Sequence, residues 1–128
     1  MESKIIILLA TYNGGKFIME QLDSIVKQSY SNWEVLISDD GSTDDTLNII
    51  REFCSKDYRI KIVNEGLTKL GACQNFGNLL KTALDKEWDF VMFADQDDFW
   101  YENKIQLTLD SMLDGGNFIK IPKLVYTD

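Results

Sequence analysis

The sequence predicts an α/β domain with a mainly parallel sheet and flanking helices, and three observations lead there. Short apolar runs rich in β-branched residues alternate with segments whose apolar positions recur every three or four residues. Three of those runs end in loops of Asp, Asn, Gly, Ser and Thr. The 128 residues suffice for one hydrophobic core and are too few for two well-packed ones, so residues 1–128 are expected to form one domain. Alternating strands and helices imply βαβ crossovers, and ligands of such sheets usually lie outside the carboxyl ends of the strands.

Ile5 to Thr11 is a continuous apolar run closed by Asn-Gly-Gly, the pattern of a strand buried on both faces. Ile18, Leu22, Ile25 and Val26 recur at helical spacing between Lys16 and Gln28, before Ser-Tyr-Ser-Asn breaks the pattern. Trp33 to Ser38 repeats the strand signal and leads into the loop Asp39 to Asp45, where Ser42 or Thr43 is expected to cap the next helix. Leu47, Ile50 and either Phe53 or Cys54 give that helix an inner face. Ile60 to Val63 is a third strand, and Ala72, Phe76, Leu79, Leu80 and Ala83 mark a helix after Gly71. Trp88 to Ala94 reads as a fourth strand, Tyr101 to Leu113 as a helix through Ile105, Leu109 and Met112, and Leu124 to Tyr126 as the start of a further strand.

Composition narrows the chemistry. A formal charge of −8 without a Lys/Arg cluster argues against nucleic acid as a partner. The absence of histidine removes Ser-His-Asp and Cys-His nucleophilic arrangements and His-ligated zinc, leaving carboxylate chemistry. The run Ile5 to Ala10 is too short for a signal peptide, and Cys54 and Cys73 lack metal or disulfide spacing, so a reducing cytoplasm is the expected compartment.

Three loops follow predicted strands: Thr11 to Gly15, Asp39 to Asp44, and Asp95 to Asp98. In the last, Asp95-Gln96-Asp97-Asp98 crowds three carboxylates at a strand end. Such a cluster either binds a hard cation, Mn²⁺ or Mg²⁺, or forms a solvated acidic turn ahead of a helix. Asp39-Asp40-Gly41-Ser42 is likewise either a turn with an N-cap or one wall of a crevice shared with Thr11-Tyr12-Asn13-Gly14-Gly15. In the second case a base would stack on Tyr12 while Asp39 accepts its imide N–H. Trp100 is either a core anchor or the wall of a sugar pocket, and Lys69 is either solvated or a phosphate contact. The GxGxxG and GxxxxGK[ST] loops are absent, which excludes dinucleotide and P-loop sites.

Together Ala10 to Asn13, Ile37 to Asp44, Gly71 to Asn75 and Phe93 to Asp98 resemble glycosyltransferase family 2. The resemblance covers nearly the whole chain and implies a GT-A (Rossmann-like) fold, a UDP- or dTDP-sugar donor, a saccharide or lipid-linked acceptor, and inversion by direct displacement. By position, Thr11, Tyr12 and Asn13 would border the nucleotide and Asp39 would bond its base. Asp95 and Asp97 would form the DxD motif, with Asp95 towards the ribose or metal, Asp97 as the direct ligand of Mn²⁺ or Mg²⁺, and Asp98 behind them. The form Asp95 to Trp100 is similar to members that transfer rhamnose or related sugars in bacterial surface polysaccharide assembly.

Two departures stand out. Cys73-Gln74-Asn75 replaces the Ala-Arg-Asn of many relatives, removing a basic contact near the nucleotide. The acceptor-binding part and the general base of the family are expected beyond residue 128, which makes this a sheet truncated at its C-terminal side that binds donor without transferring sugar. Two other β/α readings compete. A sugar-phosphate nucleotidyltransferase would carry a glycine-rich basic loop after the first strand, where this chain has only Lys16. A receiver-like domain would carry its acidic pair there, where this chain has Thr-Tyr-Asn.

Overall fold

A computed structural model describes residues 3–66, 71–94, 99–114 and 124–126. In chain order the elements are β1 (Ile5–Thr11), α1 (Ile18–Val26), β2 (Trp33–Asp39), α2 (Thr46–Lys56), β3 (Ile60–Glu65), α3 (Ala72–Leu84), β4 (Phe90–Ala94), α4 (Lys104–Asp114) and β5 (Leu124–Tyr126). The strands lie in the order β3-β2-β1-β4-β5, and all four pairings among the described residues are parallel.

β1 is apolar from Ile5 to Ala10 because both faces of the sheet are covered. Its odd positions Ile5, Ile7 and Leu9 join Val35, Ile37 and Met92 against Ile18, Leu22 and Ile25 of α1, Ile50 of α2, and Ile105 and Leu109 of α4. Its even positions Ile6 and Leu8 join Leu36 and Val91 against Leu79 and Ala83 of α3. Each such side chain contributes about 1.5–3 kcal/mol on leaving water, so the period-two split fixes which face each strand residue takes. Because β2 lies on one side of β1 and β4 on the other, the chain reverses its direction of winding between β1 and β4. That switch point opens a crevice outside the carboxyl ends of those strands.

Element boundaries differ from the sequence expectation where side chains compete with the backbone. Neither Ser42 nor Thr43 caps α2, which starts later at Thr46 with Asp45 in the cap position. Ser42 is drawn away by Asp39, and Asp44 accepts the Thr46 N–H at 3.0 Å instead. Trp88 lies outside β4, and its Nε1 donates to Ala83 O at the end of α3. α1 begins at Ile18 because a turn precedes it, in which Phe17 N and Ile18 N both donate to Gly14 O. α4 begins at Lys104 rather than Tyr101, and β3 runs on to Glu65. Trp100 is 1% exposed and belongs to the core, resolving its two readings in favour of the anchor.

Candidate functional site

The parallel register sets Thr11 beside Asp39 at the carboxyl ends of β1 and β2. Thr11 Oγ1 donates to Asp39 Oδ1 at 2.7 Å, and Ser42 Oγ donates to the same oxygen at 2.6 Å. Ser42 N and Gly41 N reach Oδ2 at 2.8 and 3.1 Å. A carboxylate offers about four lone-pair sites, so these four donors fill them, and Asp39 is fully buried. The structure places Asp39 as the hub of its loop.

The two loops expected to share a crevice are laced together along their length. Asp40 N donates to Thr11 O at 2.9 Å. Asn13 N donates to Ser42 Oγ at 2.8 Å, and its side-chain oxygen accepts the Thr43 N–H at 2.8 Å. Those bonds hold Asn13 at φ 49°, a left-handed conformation that Asn tolerates better than most residues. Gly15 N donates to Asp44 Oδ2 at 3.0 Å, and a Cβ on Gly15 would lie 3.0 Å from that same oxygen. The Thr46 hydroxyl, followed by the Thr46 and Gly15 N–H groups, holds the Asp44 carboxyl below the usual carboxylate range. Tyr12 projects from this ledge 40% exposed, with Asn13 also exposed, whereas Thr11 is buried beneath them.

Strand periodicity sends the neighbours of Asp39 to the opposite face, towards α3. Ser38 is buried there, its hydroxyl donating to Asn75 Oδ1 while Asn75 Nδ2 donates back to Ser38 O at 2.9 Å. The Asp40 carboxylate accepts the Gly71 N–H, with its oxygens at 3.0 and 3.3 Å. Cys73 and Gln74 are exposed, so of the Cys73-Gln74-Asn75 run only Asn75 turns inward. β3 supports the loop from its other edge. Asn64 Nδ2 donates to Asp39 O at 3.2 Å, and Gly66 packs so closely that a Cβ there would lie 2.6 Å from Gly41 Cα. Sequence reasoning did not single out Asn64 or Gly66. The period-two pattern after Ile37 was the available signal for Ser38 and Asp40, whereas Asn75 lies in α3 and was marked only by its place in the Cys73-Gln74-Asn75 run.

Asp95 to Asp98 and Lys69, the remaining expected site residues, lie outside the described residues. The flanks of the acidic run are held on both sides. Ala94 is buried in β4, whose register pairs it with Leu9. Trp100 N donates to Ser24 Oγ at 3.0 Å, and Gln28 of the α1 C-terminal turn donates to Tyr101 O at 2.6 Å while accepting the Ile105 N–H at 2.9 Å.

A parallel sheet of this order, covered on both faces and carrying an acidic loop at the carboxyl end of β2, matches the GT-A class of its solved neighbours. The chain belongs to glycosyltransferase family 2: the family described as Glycosyl transferase family 2 matches residues 6–127. It is 42% identical over 106 residues to the dTDP-rhamnosyl transferase RfbG of Shigella flexneri, covering 82% of this chain and 37% of that protein. The fold is similar to that of S. aureus TarS 1-349 solved in complex with UDP, with a TM-score of 0.74 and 30% identity over 87% of this chain and 32% of that one. It is also similar to the mannosyltransferase PcManGT of Pyrobaculum calidifontis in complex with GDP-Man and Mn²⁺, with a TM-score of 0.66 and 27% identity over 84% of this chain and 31% of that one. The chain thus spans about a third of the length of these relatives. Family membership leaves the nucleotidyltransferase and receiver readings without support.

Proposed function

We propose that this chain forms the donor-binding side of an inverting, metal-dependent glycosyltransferase that takes a UDP- or dTDP-sugar. The observation that carries the proposal is the ledge at the carboxyl edge of β1 and β2, where the two loops are locked together beside the sheet's switch point, with Tyr12 exposed and Asp39 and Asp40 buried. The base stacks on Tyr12 in this reading, and Thr11 and Asn13 border the nucleotide by shaping the ledge. The imide N–H of the base is assigned to the acidic pair Asp39-Asp40, with the donors of the loop and the Gly71 N–H holding the two carboxylates in place. The relatives add support, one being a dTDP-rhamnosyl transferase and another binding UDP.

The oxygen-only donors of Asp95 and Asp97 fit Mn²⁺ or Mg²⁺ by chemistry, and the PcManGT neighbour was solved with Mn²⁺. When bound, such an ion neutralises the charge that builds on a departing diphosphate. Asp97 is assigned as the direct ligand, and Asp95 shares the ion or bonds the ribose. Displacement also requires a base within reach of the acceptor hydroxyl, and we place that group and the saccharide or lipid-linked acceptor site in the portion of such proteins outside the matched third. The chain by itself then binds donor without transferring it. Action on a lipid-linked acceptor would place the whole protein at the inner face of the membrane. No helix among the described residues is long and apolar enough to cross one.

Isothermal titration with UDP, dTDP and GDP, with and without Mn²⁺, tests the proposal. One uracil- or thymine-bearing nucleotide should bind with metal present. Tyr12→Ala should weaken it about tenfold, the equivalent of one lost base stack of about 1.4 kcal/mol. Asp97→Ala should abolish the metal dependence. Binding that ignores metal and survives both substitutions would refute the donor-site assignment.

A further inference from the structure

We propose that Asn75 is a positioning residue that sets the base preference of the donor site by fixing where Asp40 stands. The inference rests on the assignment of the base to the acidic pair after β2. Asn75 is 1% exposed and lies in the first turn of α3, on the face opposite Asp39. With Ser38 it forms a closed exchange of two hydrogen bonds, Ser38 Oγ to Asn75 Oδ1 and Asn75 Nδ2 to Ser38 O at 2.9 Å. Ser38 is fully buried, so neither residue has water as a substitute partner. Four residues before Asn75, Gly71 N reaches the Asp40 carboxylate at 3.0 Å, and Gly71 O accepts the Asn75 N–H at 2.9 Å. A short rigid path therefore runs from the Asn75 amide through the first turn of α3 to the Asp40 oxygens, and a second runs through Ser38 and Asp39 along the backbone of β2.

The consequence is one of selectivity. Uracil and thymine present an imide N–H that a carboxylate accepts, whereas cytosine presents a lone pair at the same ring position and is repelled. That discrimination needs the carboxylate held within about half an ångström of its place by groups that do not touch the ligand. Asn75 meets that description, since its side chain faces Ser38 inside the protein. The departure from Ala-Arg-Asn at Cys73-Gln74-Asn75 then removes a surface charge and keeps the residue that aims the loop.

The test is calorimetric titration of UDP and CDP, with Mn²⁺, into the chain and into Asn75→Ala and Ser38→Ala, at a temperature where melting curves show each protein folded. The chain should prefer UDP. Asn75→Ala should weaken UDP about tenfold and CDP less than twofold, so that the preference collapses. Ser38→Ala, which removes only the Oγ bond and is the milder change should Asn75→Ala not fold, should lower the preference about threefold. If the variants melt earlier yet keep the wild-type UDP-to-CDP ratio, Asn75 is structural only and the inference is overturned while the donor reading stands. If the unmodified chain shows no preference between the two nucleotides, the base assignment fails and the inference falls with it.

Discussion

Asp39 is a hub of polar bonding in its loop, because four donors converge on one buried carboxylate. Asp39→Asn would turn an NH₂ group towards donors that need an acceptor, leaving at least one buried N–H or O–H without a partner. The expected cost is about 3 kcal/mol, read as a lower urea midpoint with an unchanged slope. Gly66 is constrained for a different reason. Its φ of 83° and the 2.6 Å separation between a built Cβ and Gly41 Cα leave no room for a side chain, and the opposing atom is backbone that cannot swing aside. Gly66→Ala should cost about 2 kcal/mol or more and move the Asp39 loop, seen as chemical-shift changes at Gly41 and Ser42.

Among elements, α1 does more than cover β1. Through Ser24 and Gln28 it holds the segment that follows the Asp95–Asp98 run, fixing Trp100, Tyr101 and Ile105 by their backbone groups. Gln28→Ala would strand the buried Ile105 N–H and release the Tyr101 carbonyl. Stability should fall by about 2 kcal/mol, and amide exchange should accelerate most at Ile105. Uniformly faster exchange across the sheet would show instead that the bridge carries global rather than local stability. This role was invisible in the sequence, because Gln28 and Ile105 are 77 positions apart and a glutamine at a helix end has no distinctive pattern.

At the scale of the whole molecule, the carboxylate shifts among the described residues run in one direction. Arg59 bonds Asp57 at 2.7 Å and holds its carboxyl below the usual range. Burial would raise Glu34, but Lys86, Lys61 and Lys4 together outweigh it and its pKa is lowered. A carboxylate with a depressed folded pKa contributes its stability above the unfolded value, about 4, and loses it as pH falls through the folded value. Stability should thus be level near neutrality and decline below about pH 4. Glu34→Gln should be less stable than the unmodified chain at pH 7 and converge with it near pH 3. A constant difference between the two unfolding midpoints from pH 7 to 3 would show that the lysine cluster does not act through the Glu34 charge.

The sequence by itself determined the α/β class, the succession of elements and the strand-end loops, because burial on two faces and helical periodicity are local patterns that survive in one dimension. Family membership was legible too, since four motifs fell in order, each at a strand end or a helix start. Tertiary structure decided the rest. Whether a carboxylate faces a ligand or its own loop depends on which donors the register brings to it. Thr11 and Asp39 lie 28 positions apart in the chain yet side by side in the sheet. The same long-range pairing moved the start of α2 past Ser42, brought Asn64 and Gly66 under the Asp39 loop, and turned Asn75 inward, because hydrogen bonds between strands and across layers are fixed only once the sheet has formed.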